Sequence, residues 1–266
     1  MKNCQDSIAK LTKNMPLSDF NNPPADKKTD LFVYSEEYRK IYNDYKFQEQ
    51  LRNAQEIFKA TGSIEEVNKF CRSVRMAEQA QNLLKQSKIN KRFLSCTFDN
   101  YKTENNIQLE AHKKAKAYAG NIDKYLENGT NLIICGYGSV GTGKTHLANA
   151  IARELMTSSG IPCKVIRVDA LIKELKQTFS IKEFVEVEVL IIDDLGKEIG
   201  TDWVTEQIDA IVNARYERMK PTIITTENDI DTLEKNYNNK GRAVISRLTQ
   251  DFFLIKLNGE DYRKKR

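Results

Sequence analysis

Residues 131–158 read NLIICGYGSVGTGKTHLANAIARELMTS, a short apolar run, a glycine-rich turn and an amphipathic stretch of helical period. Four of the ten residues from Gly136 to Thr145 are glycine, and Lys144 carries the only charge among them. This constrains the fold strongly, because a buried strand must feed a turn that needs glycine backbone and a helix must start directly behind it. Gly138 to Thr145 fits G-x-x-x-x-G-K-[ST] in the strand–turn–helix context that the spacing requires. Such glycines let backbone N–H groups turn inward around an anion, and the helix start adds its partial positive charge. Lys144 supplies a point charge, and the Thr145 hydroxyl is suited to a Mg²⁺ ion. Gly138, Ser139, Val140, Gly141, Thr142, Gly143, Lys144, Thr145 and His146 are therefore candidate contacts for the phosphates of ATP. The alternative, a glycine-rich turn beside a surface lysine, does not account for the flanks.

Downstream, short β-branched runs alternate with amphipathic helices. Strands are expected at Leu132–Cys135, Cys163–Val168, Val187–Ile192, Thr222–Thr226 and Phe252–Leu257. Helices are expected at His146–Met156, Ala170–Gln177 and Val204–Met219. This alternation predicts an α/β fold, a parallel sheet covered by helices on both faces, with ligands at the carboxyl ends of the strands. In VEVLIIDDLGKE, four apolar residues run into Asp193-Asp194, which places two carboxylates at such an end. Asp193 is expected to hold the Mg²⁺ shell with Thr145, and Asp194 to polarise an attacking water. A solvated acidic turn is the competing reading.

The first 95 residues have a different texture. MPLSDFNNPPADKKTD is rich in Pro, Asn and Asp, and residues 1–34 are expected to form a flexible arm. Tyr38, Ile41, Tyr42, Tyr45, Leu51, Ala54, Ile57 and Phe58 recur at helical spacing, and Thr61-Gly62 ends that helix. Ser63 and Glu66 form a capping box for a second helix with Val67, Phe70, Cys71, Val74 and Ala77 on its inner stripe. Residues 35–95 thus read as a helical partner-binding region ending in a basic linker, KQSKINKRFLSC, and residues 96–266 as the nucleotide-binding domain.

The five cysteines are scattered and never form C-x-x-C, which argues against a disulfide framework or a zinc site. No signal peptide or membrane-length apolar run is present in the sequence, so a soluble cytoplasmic protein is expected. A formal net charge of +5 leans towards polyanionic partners.

GSVGTGKTHLANAIARELM, VLIIDDLGKE, KPTIITTEN, RAVISRL and DYRKK together make roughly residues 97–266 resemble the AAA+ ATPases of the DnaC/DnaI helicase-loader type and the related IstB-type transposition ATPases. The resemblance implies an AAA+ P-loop NTPase fold preceded by a small helical domain. It also implies slow, Mg²⁺-dependent ATP hydrolysis stimulated by assembly. PTIITTEN looks like the sensor strand, with Thr226 or Asn228 as the sensor, and Glu227 stands where the family usually has Asn. Arg247 occupies the place of the family's arginine finger, with Arg242 as alternative, and Arg263 resembles its second sensor. Lys173, Lys176 and Phe179 lie where the family has an insertion contacting single-stranded DNA, and they offer two phosphate contacts and one stacking ring. An ordinary amphipathic helix is the other reading of that stretch.

Three functions remain open from sequence. The first is ATP-dependent loading of a hexameric replicative helicase onto single-stranded DNA, with self-association in the complex. The second is a transposition helper that binds DNA and a transposase. The third is a phage-type adaptor that binds the helicase with little hydrolysis.

Overall fold

The computed structural model describes residues 36–136, 141–198, 201–237 and 241–257, with side chains from Lys46 onward. Of the residues singled out above, Gly138, Ser139, Val140 and Arg263 lie outside them, as do residues 1–34 and the side chains of Tyr38, Ile41, Tyr42 and Tyr45. The chain divides into two compact units between Val74 and Arg75.

The first unit contains helix α1 (Glu36–Thr61) and the first half of α2 (Ile64–Gln86). Gly62, at φ +65°, closes α1 with its N–H on the Phe58 carbonyl at 2.8 Å. The Ser63 hydroxyl then accepts the Glu66 N–H at 3.4 Å, as the capping box requires. No described side chain of α1 is buried; Phe47, Leu51 and Phe58 are exposed, and Ala54 and Ile57 are half-buried.

The second unit is built on a five-stranded parallel sheet. Its elements in chain order are α3 (Asn106–Gly120), α4 (Ile122–Asn128), β1 (Asn131–Cys135), α5 (Lys144–Ser158), β2 (Cys163–Arg167), α6 (Val168–Thr178), α7 (Lys182–Glu186) and β3 (Val189–Asp193). There follow α8 (Asp202–Glu217), β4 (Thr222–Thr226), α9 (Ile230–Lys235), α10 (Gly241–Leu248) and β5 (Phe252–Lys256). The strand order is β2-β3-β4-β1-β5, every pair parallel, with Ile134 opposite Thr225 and Ile191 opposite Ile223.

Strands β1, β3 and β4 are buried along their whole length, and apolar at their centres, because both of their faces are covered. Ile134, Ile191 and Ile223 pack with Leu147, Ile151 and Leu155 of α5 and Ala115 and Tyr118 of α3. Their neighbours Ile133, Ile192 and Ile224 face the other way, onto Leu171 and Leu175 of α6, Ile208 and Ile211 of α8, and Val244 of α10. Each such side chain contributes about 1.5–3 kcal/mol by burial.

Two features depart from the expected pattern. The strand expected from Val187 begins at Val189, because the carbonyls of Val187 and Glu188 accept from the Arg215 guanidinium at 2.8 and 3.1 Å. Arg215, on α8, is fully buried and also donates to Phe184 O, Pro221 O and the Thr222 hydroxyl. Burial pulls its pKa down to about 9, and this ring of acceptors is what lets the charge stay inside. The helix α8 ends before Met219, which takes a left-handed φ of 52°.

The basic stretch after α2 lies along the sheet edge. The Ser87 carbonyl accepts the Val165 N–H of β2 at 2.7 Å. Lys88 pairs with Glu174 and Glu183, and Lys164 also reaches Glu183.

Candidate nucleotide-binding site

The site forms where β1, β3 and β4 end. The chain leaves β1 at Cys135, and Gly141 and Gly143 take left-handed φ angles of 72° and 98° before α5 begins at Lys144. At Gly143 a side chain is excluded twice: by φ, and because a Cβ would lie 2.8 Å from the Tyr101 ring. Gly143 caps α5, a 15-residue helix, and the cap makes no side-chain hydrogen bond.

Lys144 is 5% exposed. Burial pulls its pKa down, against the pull of Glu227, Asp194 and Asp193, so a bound anion would relieve the site. Its ammonium lies 3.4 Å from the Thr142 hydroxyl. The Thr145 hydroxyl, on the next residue of α5, donates to Asp193 at 2.9 Å to Oδ1 and 3.2 Å to Oδ2.

Asp193 ends β3 and is 6% exposed. Burial pushes its pKa up; hydrogen bonds from Thr225 and Thr145 oppose this, and the Asp194 charge adds to it. The strongest contact is from Thr225 Oγ1, at 2.6 Å to Oδ1. The same hydroxyl accepts the Asp194 N–H at 2.9 Å, so Thr225 fixes both acids at once. Asp194 is held at φ 62° and turns its carboxylate towards Lys197, whose ammonium is 3.1 Å from Asp194 and 2.8 Å from Glu227. Burial lowers the Lys197 pKa, but the hydrogen bonds to Glu227 and Asp194 outweigh it and leave it raised.

The structure thus brings Lys144, Thr145, Asp193 and Asp194 together as the sequence predicts. It adds Thr225 and Lys197, which sequence reasoning missed. Thr226 and Asn228 are close by but occupied elsewhere: the Thr226 hydroxyl donates to Leu195 O at 2.7 Å, and the Asn228 amide to Gly196 O at 3.4 Å. Strand alternation explains this, since Thr225 shares the α5 face of β4 with Ile223 while Thr226 faces the opposite way. The His146 ring is held by Thr97 and Tyr101, its Nε2 2.9 Å from Thr97 O and its edge against the Tyr101 ring.

A hydroxyl and a carboxylate, both hard oxygen donors, adjoin a desolvated lysine at the start of α5. These residues fit a magnesium–nucleotide phosphate group: Thr145 and Asp193 would hold the metal, and Lys144 and the start of α5 the phosphates.

Arg247 lies at the far end of the sheet. Its carbonyl accepts from Asn131, the first residue of β1, at 3.3 Å, and its guanidinium pairs with Asp209 at 3.1 Å. Five strand residues, about 13 Å, separate it from the glycine turn of its own subunit. Arg242 starts the same helix and is exposed. Lys173, Lys176 and Phe179 lie on or just after α6; Lys176 stands 5.7 Å over the Trp203 ring, and Phe179, at φ 51°, is 85% exposed.

The chain matches the family described as IstB-like ATP binding protein over residues 47–266. It is 30% identical over 194 residues to the phage-like element PBSX protein XkdC of Bacillus subtilis, covering 68% of this chain and 73% of that protein. It is 30% identical over 204 residues to the replicative helicase loader DnaC of Buchnera aphidicola, covering 71% and 78%. A crystal structure of the DnaC helicase loader superposes with a TM-score of 0.56 at 29% identity, over 63% of this chain and 99% of that one. The chain has the AAA+ P-loop fold and belongs to the IstB-like ATP-binding protein family.

Proposed function

We propose that this chain loads a hexameric replicative DNA helicase onto single-stranded DNA in the cytoplasm, with ATP binding and slow hydrolysis as its assembly and release switch. The observation that carries this reading is the Thr145–Asp193–Thr225 cluster beside Lys144 at the start of α5, in a chain homologous to DnaC loaders.

On this reading Lys144 and the α5 N–H groups bind the phosphates, and Asp193, oriented by Thr145 and Thr225, holds Mg²⁺. The metal, when bound, neutralises charge on the phosphate oxygens. Asp194 polarises the attacking water. Thr226 and Asn228 brace the loop that carries Asp194 through Leu195 and Gly196. Arg247, remote from its own glycine turn, serves the site of a neighbouring subunit, so hydrolysis requires assembly.

Residues 35–95 form the helicase-binding region, residues 96–266 the ATPase domain, and residues 1–34 a leading arm. The exposed Phe47, Leu51 and Phe58 of α1 supply an apolar surface for the helicase. Lys173, Lys176 and the exposed Phe179 contact single-stranded DNA through phosphate and stacking.

The test mixes the full chain with the purified replicative helicase of the same host and follows mass by light scattering, with and without ATP. A complex that forms with ATP and transfers the helicase to a single-stranded circle is expected. Absence of any complex, together with retention of a transposase, would replace this reading with a transposition helper.

A further inference from the structure

Among the described residues of the crevice, Lys197 and its partner Glu227 have no part in the roles assigned so far. Lys197 follows β3 in a turn with two left-handed residues, Asp194 and Gly196 at φ 62° and 91°, and its N–H donates to the Asp194 carbonyl at 3.3 Å. That turn folds the side chain back over the strand ends. Its ammonium bridges Asp194 at 3.1 Å and Glu227 at 2.8 Å, joining the end of β3 to the end of β4. The side chain is 41% exposed and its stem is flexible, so the contact can be exchanged.

Among the described residues, the carboxylates of Asp193, Asp194 and Glu227 share the crevice with Lys144 and Lys197, while Arg167 at the end of β2 is paired with Asp169. Lys144 is buried at the start of α5 and committed to the phosphate cradle. Lys197 is the more exposed of these two lysines, and while it is paired it occupies the carboxylate that has to orient water.

We propose that Lys197 is a γ-phosphate-responsive residue: it restrains Asp194 and Glu227 before nucleotide arrives, and exchanges them for the terminal phosphate of ATP, which frees Asp194. This rests on the nucleotide-site reading above. It makes the lysine a discriminator between tri- and diphosphate, because ADP has no third phosphate to compete with the two carboxylates. Glu227, which stands at the end of the sensor strand, is then part of the restraint, and its charge is balanced while Lys197 is paired.

The experiment is equilibrium titration of the full chain with Mg²⁺ and either ADP or a non-hydrolysable ATP analogue, in wild type, Lys197→Met, Lys197→Arg and Lys144→Ala. Loss of one charge-assisted hydrogen bond corresponds to about a tenfold change in affinity. Lys197→Met is expected to weaken the triphosphate analogue by that factor and leave ADP unchanged, and Lys197→Arg to recover most of the difference. Equal weakening of both nucleotides, or no change in either, would overturn the proposal, since a lysine that merely braces the loop cannot count phosphates. The controls separate the two readings. If wild type binds both nucleotides and Lys144→Ala binds neither, the site stands whatever Lys197 does; if wild type binds neither, the site reading fails and this inference with it.

Discussion

Thr225→Val is the sharpest probe of how the acidic pair is held. Valine has nearly the shape of threonine, and Thr225 is fully buried, so the change removes a hydroxyl without opening a cavity. Two hydrogen bonds disappear: the 2.6 Å donation to the Asp193 carboxylate and the 2.9 Å acceptance from the Asp194 N–H. A bond to a charged group contributes about 1.5–3 kcal/mol, and a stranded N–H costs about 1 kcal/mol or more. The sum is about 3 kcal/mol, which for a unit of this size lowers Tm by roughly 6–12 °C. The replacing methyl cannot sit 2.6 Å from a carboxylate oxygen, so steric relaxation acts in the same direction. Thr225→Ser keeps the hydroxyl and loses one methyl, about 1 kcal/mol, or roughly 2–4 °C. Differential scanning calorimetry of the nucleotide-free chain measures both. If Thr225→Val melts with wild type, or Thr225→Ser falls as far as Thr225→Val, the hydroxyl does not bridge the two acids and the reasoning is refuted.

Two further outcomes follow from the same geometry. Arg247→Ala is expected to keep ATP affinity and lose assembly-stimulated hydrolysis, and mixing it with Lys144→Ala subunits should restore part of the rate, because each variant supplies what the other lacks; a mixture as inactive as its components would remove the trans role. Asp193 has its pKa raised by burial, so it binds a proton more readily folded than unfolded, and its ionisation costs stability as pH rises from the usual carboxylate range through the raised value. Asp193→Asn should therefore weaken this loss of stability with rising pH while abolishing Mg²⁺-dependent tightening of nucleotide binding, which melting at several pH values with and without Mg²⁺ will show.

Much of this site was legible before the structure. Four apolar residues running into Asp193-Asp194 read as a buried strand with acids at its rim, which β3 is, and the glycine spacing before Lys144 and Thr145 reads as a phosphate-binding turn. Thr225 was not legible, because two threonines in a row, Thr225 and Thr226, end β4 and only the register against β1 and β3 decides which one faces α5. Thr226, one residue on, points to the opposite face and braces Leu195. Lys197 was hidden by the left-handed turn at Asp194, which reverses the direction a plain loop would have given it. Arg215 reads as one more charge on an amphipathic helix, yet the chain closes five carbonyl groups and a hydroxyl around it. Nor does composition reveal that the basic stretch around Ser87 lies against the open edge of β2.

Lys144, Thr145 and Asp193 meet in one crevice, which on the proposed reading is an ATP site. Isothermal titration of MgATP into the full chain and into Lys144→Ala tests it directly, with circular dichroism to confirm that the variant is folded. Saturable binding by wild type that is lost in a folded Lys144→Ala chain is the predicted result. Equal affinity in the two proteins would contradict the account.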